Sequence, residues 1–118
     1  METSRTIEPE TQIPKDINLE GLVIDAPHNS KNLGFVIPFK IKSAKRELGD
    51  KKAKITEVVY TLVNRNMDIV YYGGALPIFN NDRLRVSGLL SLGRGPAYAP
   101  SKIELLDDEG KIKAVYNQ

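Results

Sequence analysis

The sequence predicts an all-β fold, a single antiparallel β-sandwich of about seven strands. Three observations predict it. Apolar residues recur with period 2 in several short runs, most clearly in FVIPFKIKS (35–43). Clusters of Gly, Pro, Asn and Asp separate those runs. No segment carries a continuous apolar stripe at helical spacing. The 118 residues suit one domain, which at this size buries roughly two thirds of its unfolded surface without a metal or disulfide.

Residues 1–16 read as a flexible tail, with Pro9 and Pro14 opposing a helix, and 17–118 as the sandwich domain. INLEGLVIDA (17–26) gives a first strand, with Gly21 marking a bulge or a crowded backbone. PHNSKNLG (27–34) collects turn formers. In 35–43, Phe35, Ile37, Phe39 and Ile41 share one face, and Val36, Pro38, Lys40 and Lys42 the other. Pro38 has no backbone donor, so this strand is expected at an edge or with a bulge. AKRELGDKKAK (44–54) follows as a basic connection.

KITEVVYTLVN (54–64) reads as a strand with Val58, Tyr60 and Leu62 on one face. Asn64, Asn66 and Asp68 supply a turn, and DIVYYGG (68–74) returns as its hairpin partner. RLRVSGLLSL (83–92) places Leu84, Val86 and Leu90 on one face, and Arg83, Arg85 and Ser87 on the other. GRGPAYAP (93–100) reads as a loop; SKIELL (101–106) and KIKAVYN (111–117) form a closing hairpin around Asp107–Gly110. A small OB-like β-barrel is the alternative to the sandwich.

Composition narrows the chemistry. The chain has no cysteine, so thiolate metal sites, disulfides and cysteine nucleophiles are excluded. Charge is uneven although the net value is +2. Residues 1–28 hold six acids against Arg5 and Lys15; residues 40–54 hold seven bases against Glu47 and Asp50. The basic segment suits a solvated loop, or contact with phosphate or an acidic partner. No run reaches the ~20 apolar residues of a membrane helix, and the start METSRTIEPETQIP lacks a signal-peptide core. Its Thr, Glu and Pro content resembles a tether following a removed anchor, which leans toward an extracytoplasmic or envelope-associated location; without such an anchor the protein is cytoplasmic.

No catalytic set assembles. His28, the single histidine, lies in a predicted turn with no nucleophile elbow beside it. Asp107-Asp108-Glu109-Gly110 lacks the ligand spacing of an EF-hand and reads as a tight turn; a calcium loop completed by Asp82 or Asp25 is the other reading. Gly93-Arg94-Gly95 has neither the spacing nor the following helix of a phosphate loop, and Tyr98 reads as a packed plug in an inter-sheet crossover. No cofactor or metal is expected. A single-strand nucleic-acid binder would combine stacking aromatics with bases along a backbone track. Here the candidates are Tyr60, Tyr71, Tyr72, Phe35 and Phe39 with Arg83, Arg85 and the 40–54 bases. Phe35 and Phe39 share a core face, however, and adjacent Tyr71 and Tyr72 point to opposite faces.

Tyr60-Thr61-Leu62, the polar stretch Asn64 to Asp68, the run Ile69 to Gly74, and Asn80-Asn81-Asp82 before Leu84 form a pattern. Over residues 33–92 it resembles the small immunoglobulin-like sandwich domains of the FxLYD and water-stress (WHy) families. The resemblance implies an immunoglobulin-like sandwich, a non-enzymatic binding or assembly role at the cell envelope, and no particular site residues. The expected function is therefore a protein-binding or structural module, tethered through its N-terminal tail. Its partner is another protein or a second copy, met at a sheet edge. Lys40 and Lys42 read as edge protection, which moves the expected binding edge to 83–92. The candidate partner-binding residues are Arg83, Arg85, Tyr71, Tyr72, Lys40, Lys42, Arg94 and Tyr98. The alternative function is a single-stranded nucleic-acid-binding β-barrel or β-ribbon.

Overall fold

The structure is a computed structural model that describes residues 13, 15–46, 62–93 and 95–118. Nine strands form one sheet: β1 (Ile17–Val23), β2 (His28–Ser30), β3 (Gly34–Arg46), β4 (Asn66–Tyr71), β5 (Arg83–Ser87), β6 (Leu90–Ser91), β7 (Ala97–Ala99), β8 (Lys102–Leu106) and β9 (Ile112–Asn117). Their order is β6-β7-β4-β3-β1-β5-β8-β9, with β2 against β3. Every pairing is antiparallel except β4 with β7. The fold is all-β, as the alternation requires.

The sheet curls until its far parts meet. β4 and β9 are five strand steps apart in the order, which in a flat sheet is about 24 Å. Yet the rings of Tyr71 on β4 and Tyr116 on β9 meet edge to face, with centroids 6.4 Å apart and planes at 69°. Gln118 joins the same two regions by hydrogen bonds. The result is a sandwich- or barrel-like architecture around one main core.

Period 2 builds that core. β1 buries Ile17, Leu19 and Val23; β3 buries Phe35, Ile37, Phe39 and Ile41. Ile69, Leu84, Val86 and Ile103 complete its centre. Each of these side chains contributes about 1.5–3 kcal/mol on leaving water. Ile13, inside the segment expected to be tail, also packs in this core. A smaller apolar cluster of Val36, Val70 and Ala97, flanked by Leu33 and Leu92, lies on the outward face of β3 and β4. Gly21 sits where the β1–β3 register shifts between Glu20 and Gly21, and a Cβ there would overlap the Lys40 carbonyl. Both readings of that glycine hold: it marks a bulge and a crowded backbone.

Several expected elements differ. β3 is internal, with β4 on one side and β1 and β2 on the other. Pro38 is tolerated there because it falls between the β2 and β1 ladders, where only its carbonyl is used, accepting from Ile24 N at 3.0 Å. The edge expectation for this strand is thus overturned, and its bulge lies at Lys42, opposite Glu20 and Gly21, rather than at Pro38. β3 also runs on to Arg46, into the expected basic connection.

Of the expected strand 54–64, only 62–64 belong to the described residues; Val58 and Tyr60 lie outside them. At 62–65 the chain turns, with Arg65 N donating to Leu62 O at 3.0 Å and Asn64 at φ 72°. β4 pairs with β3 on one side and, at Asp68 and Ile69, with β7 on the other.

The run 83–92 is not one strand. Gly88 turns it with φ +65°, Ser101 filling the space a Cβ would need. β5 is held between β1 and β8, while β6 departs to pair with β7. Leu90 is therefore exposed instead of facing the core. Ala97–Ala99, expected in a loop, forms β7, and His28, expected in a turn, begins β2. The closing hairpin β8–β9 stands as the alternation places it.

Candidate functional site

Two surfaces gather the candidate residues: the outward face of β3, β1, β5 and β8, and the edge formed by β9. Pleating sends Lys40, Lys42, Lys45, Arg83, Arg85 and Lys102 outward, against Glu20 and Glu104. Ladder register sets Glu20, Arg85 and Glu104 in one row across β1, β5 and β8. Arg85 Nε donates to Glu20 Oε2 at 3.1 Å and Nη1 to Glu104 Oε1 at 2.9 Å. Lys102 Nζ approaches Glu104 Oε2 at 3.7 Å. Burial opposes the charge on Arg85, but its hydrogen bonds to Glu20 and Glu104 outweigh that and hold the guanidinium above its ordinary value. Arg85 is thus occupied within its own fold. Among the described residues Glu104 is the buried charged side chain, and Arg85 compensates it.

Beside this row lies a depression of about 240 Å³ lined by Asn18, Glu20, Ser43, Lys45 and Arg85. Asn18 Oδ1 is buried there without a hydrogen-bond partner. Arg83 is half-buried and donates to the Asp108 carbonyl at 3.0 Å. It lines a second cleft of about 360 Å³ with Leu22, Asp82, Leu106, Asp107, Asp108 and Lys113. Two of that cleft's three acids already serve turns. Asp107 Oδ1 accepts from Glu109 N at 2.9 Å and Lys111 N at 2.8 Å, and Asp82 Oδ2 accepts from Phe79 N at 2.8 Å. No group of three metal-ligating side chains occurs among the described residues.

The aromatic candidates separate. Tyr71 leans on the core and on Tyr116. Tyr98 is 9% exposed and fills the main core, which matches its reading as a plug and leaves it little surface for a partner. Tyr72 is the outward member of the tyrosine pair, 58% exposed. No aromatic side chain stands among the outward residues of β1, β3, β5 and β8. Bases and stacking rings thus lie apart, although a stacking track needs them interleaved. Arg94 lies outside the described residues.

Among the described residues the end strands of the order are β6, two residues within the run 83–92, and β9, of six, whereas β5, which holds Arg83 and Arg85, is internal; β2 pairs with β3 alone. Among the described residues β9 has a ladder with β8 alone. It sends Ala114 and Tyr116 against the core and leaves Ile112 and Val115 about half exposed. Beyond it, Gln118 Nε2 donates to the carbonyls of Val70 and Pro100, both at 2.8 Å. Its Oε1 accepts from Tyr72 N at 2.8 Å, and Gln118 N donates to Ser101 O at 2.9 Å. The sequence-based expectations include neither this edge nor this glutamine. The edge is visible in part, since IKAVYN carries apolar residues at both phases, as an underprotected outer strand does. A lone glutamine carries no such signal.

No protein-family model matches the chain, and no curated protein or solved structure matches it either.

Proposed function

We propose that this chain is a non-enzymatic protein-binding or assembly module, an immunoglobulin-like sandwich that engages its partner by strand addition at β9. The observation that carries the reading is the ladder of β9, one-sided among the described residues, beside exposed Ile112 and Val115. An unpaired strand edge offers a row of backbone donors and acceptors, and alternate side chains supply specificity. Soluble chains ordinarily blunt such an edge with charge. Here Lys113, at the register shift between Leu105 and Leu106, blunts only its beginning. Ala114 to Asn117 carries no charge. Tethering through the N-terminal segment belongs to the same proposal. The nucleic-acid alternative has less support, since the basic face lacks aromatic residues.

Sedimentation velocity over rising concentration tests the edge. The wild-type chain is expected to self-associate, and Val115→Lys, a substitution at an exposed position, to remain monomeric. A wild-type chain that stays monomeric at its highest soluble concentration contradicts the self-association reading. Salt-sensitive binding of labelled single-stranded DNA, abolished by charge reversal at Lys42 and Lys45, would favour the alternative.

A further inference from the structure

β8 and β9 are unequal partners. β8 buries Ile103, Glu104, Leu105 and Leu106 in succession, so it requires a neighbouring strand. β9 places only Ala114 and Tyr116 against the core. An outer strand with so few buried contacts belongs to the low-stability end of a fold. Two discrete fastenings hold it. At one end Asp107 Oδ1 accepts from Glu109 N and Lys111 N, Asp107 N donates to Lys111 O at 2.8 Å, and Gly110 N donates to Asp107 O at 3.0 Å. At the other end the Gln118 amide clasps Val70, Tyr72 and Pro100.

We infer that the segment Ile112–Gln118 exchanges between two copies of this chain, the strand of one copy replacing that of the other against β8. The proposal goes beyond strand addition: there a strand joins the outer side of β9, whereas here β9 leaves its own β8. A second copy is the occupant that the contacts specify. Its strand brings a small residue opposite Leu105, an aromatic ring opposite Ile103 and against Tyr71, and a glutamine for the same three groups. Every β8–β9 contact and the whole clasp are remade in the exchanged pair. Only the turn at 107–111 is lost, because the chain there must straighten to cross over.

That difference assigns separate effects to the two fastenings. The turn exists only in the closed monomer, so Asp107→Ala shifts the equilibrium toward dimer. The clasp is present in both forms, so Gln118→Ala leaves the equilibrium nearly unchanged and speeds exchange, by about tenfold for the loss of its hydrogen bonds. The native chain has no cysteine, which makes a disulfide reporter clean. Lys102 and Asn117 face each other across the β8–β9 ladder, within disulfide reach.

The experiment mixes Lys102→Cys with Asn117→Cys chains at high concentration and oxidises them after increasing times. A disulfide joining the two substituted positions between chains, mapped by mass spectrometry, is the expected product. It should form faster with Gln118→Ala and to a greater extent with Asp107→Ala. The same mixture in a Val115→Lys background separates this idea from edge addition, since that substitution charges the outer edge while keeping the β8–β9 backbone ladder and setting a lysine opposite Glu104, a favourable pair. A dimer that lacks the mixed bond overturns exchange while leaving edge binding intact. Equal rates and extents in all backgrounds, or no dimer with Asp107→Ala, also overturn it.

Discussion

Arg85 shows how a single side chain read as a binding residue becomes a structural one. Alternation correctly sends it outward from β5, but a sequence does not say which carboxylates flank it. The ladder supplies Glu20 on one side and Glu104 on the other. Removing Arg85 leaves Glu104 buried without its main partner, so Arg85→Met is expected to cost about 3 kcal/mol in urea unfolding. Because the guanidinium is held above its ordinary value, its share of stability is complete below the unfolded-state value. It is lost only as pH rises through the folded one, far into the alkaline range. Its contribution should therefore be constant across neutral pH, and a urea midpoint difference between wild type and Arg85→Met that changes between about pH 6 and 9 would contradict this. Gly21 is the second residue of this kind. Its missing Cβ lets the Lys40 carbonyl approach, so Gly21→Ala should destabilise by about 3 kcal/mol, measured by the same unfolding experiment.

Among elements, legibility in the sequence depends on whether the determinant is local. β1, β3, β5 and the β8–β9 hairpin follow from period 2 and turn chemistry, which neighbouring residues carry. The partners of each strand are non-local, and there local patterning misleads. Ile69 and Val70 pair with β3, and Ile69 also with β7, partners that the run 68–74 does not reveal. Pro38 reads as an edge marker because its missing donor is visible in sequence, whereas the gap between the β1 and β2 ladders that accommodates it is not. Gly88 reads as part of one strand, although its positive φ sends β6 to a different neighbour. The same limit hides the clasp: Gln118 acquires its role from carbonyls 18 and 48 residues away. Gln118→Ala should lower stability by about 1–2 kcal/mol, and amide exchange at Tyr72, whose N–H it satisfies, should rise in parallel. Tyr116→Leu should cost about 1 kcal/mol beyond its lost area, through the edge-to-face pair with Tyr71.

For the whole molecule, one curled sheet places its chemistry by face and by edge. The outward face of β3, β1, β5 and β8 is basic and without aromatics, its central arginine satisfied by two glutamates. Among the described residues the long unpaired side of the sheet belongs to β9, and partner binding is placed there. Amide hydrogen exchange of the wild-type chain, followed at low and high protein concentration, tests that most directly. Protection of alternate amides within Ile112–Asn117 should increase with concentration, while the internal strands β1 and β5 stay unchanged. Protection that is independent of concentration along β9, or that increases instead across Lys40–Lys45, would contradict it.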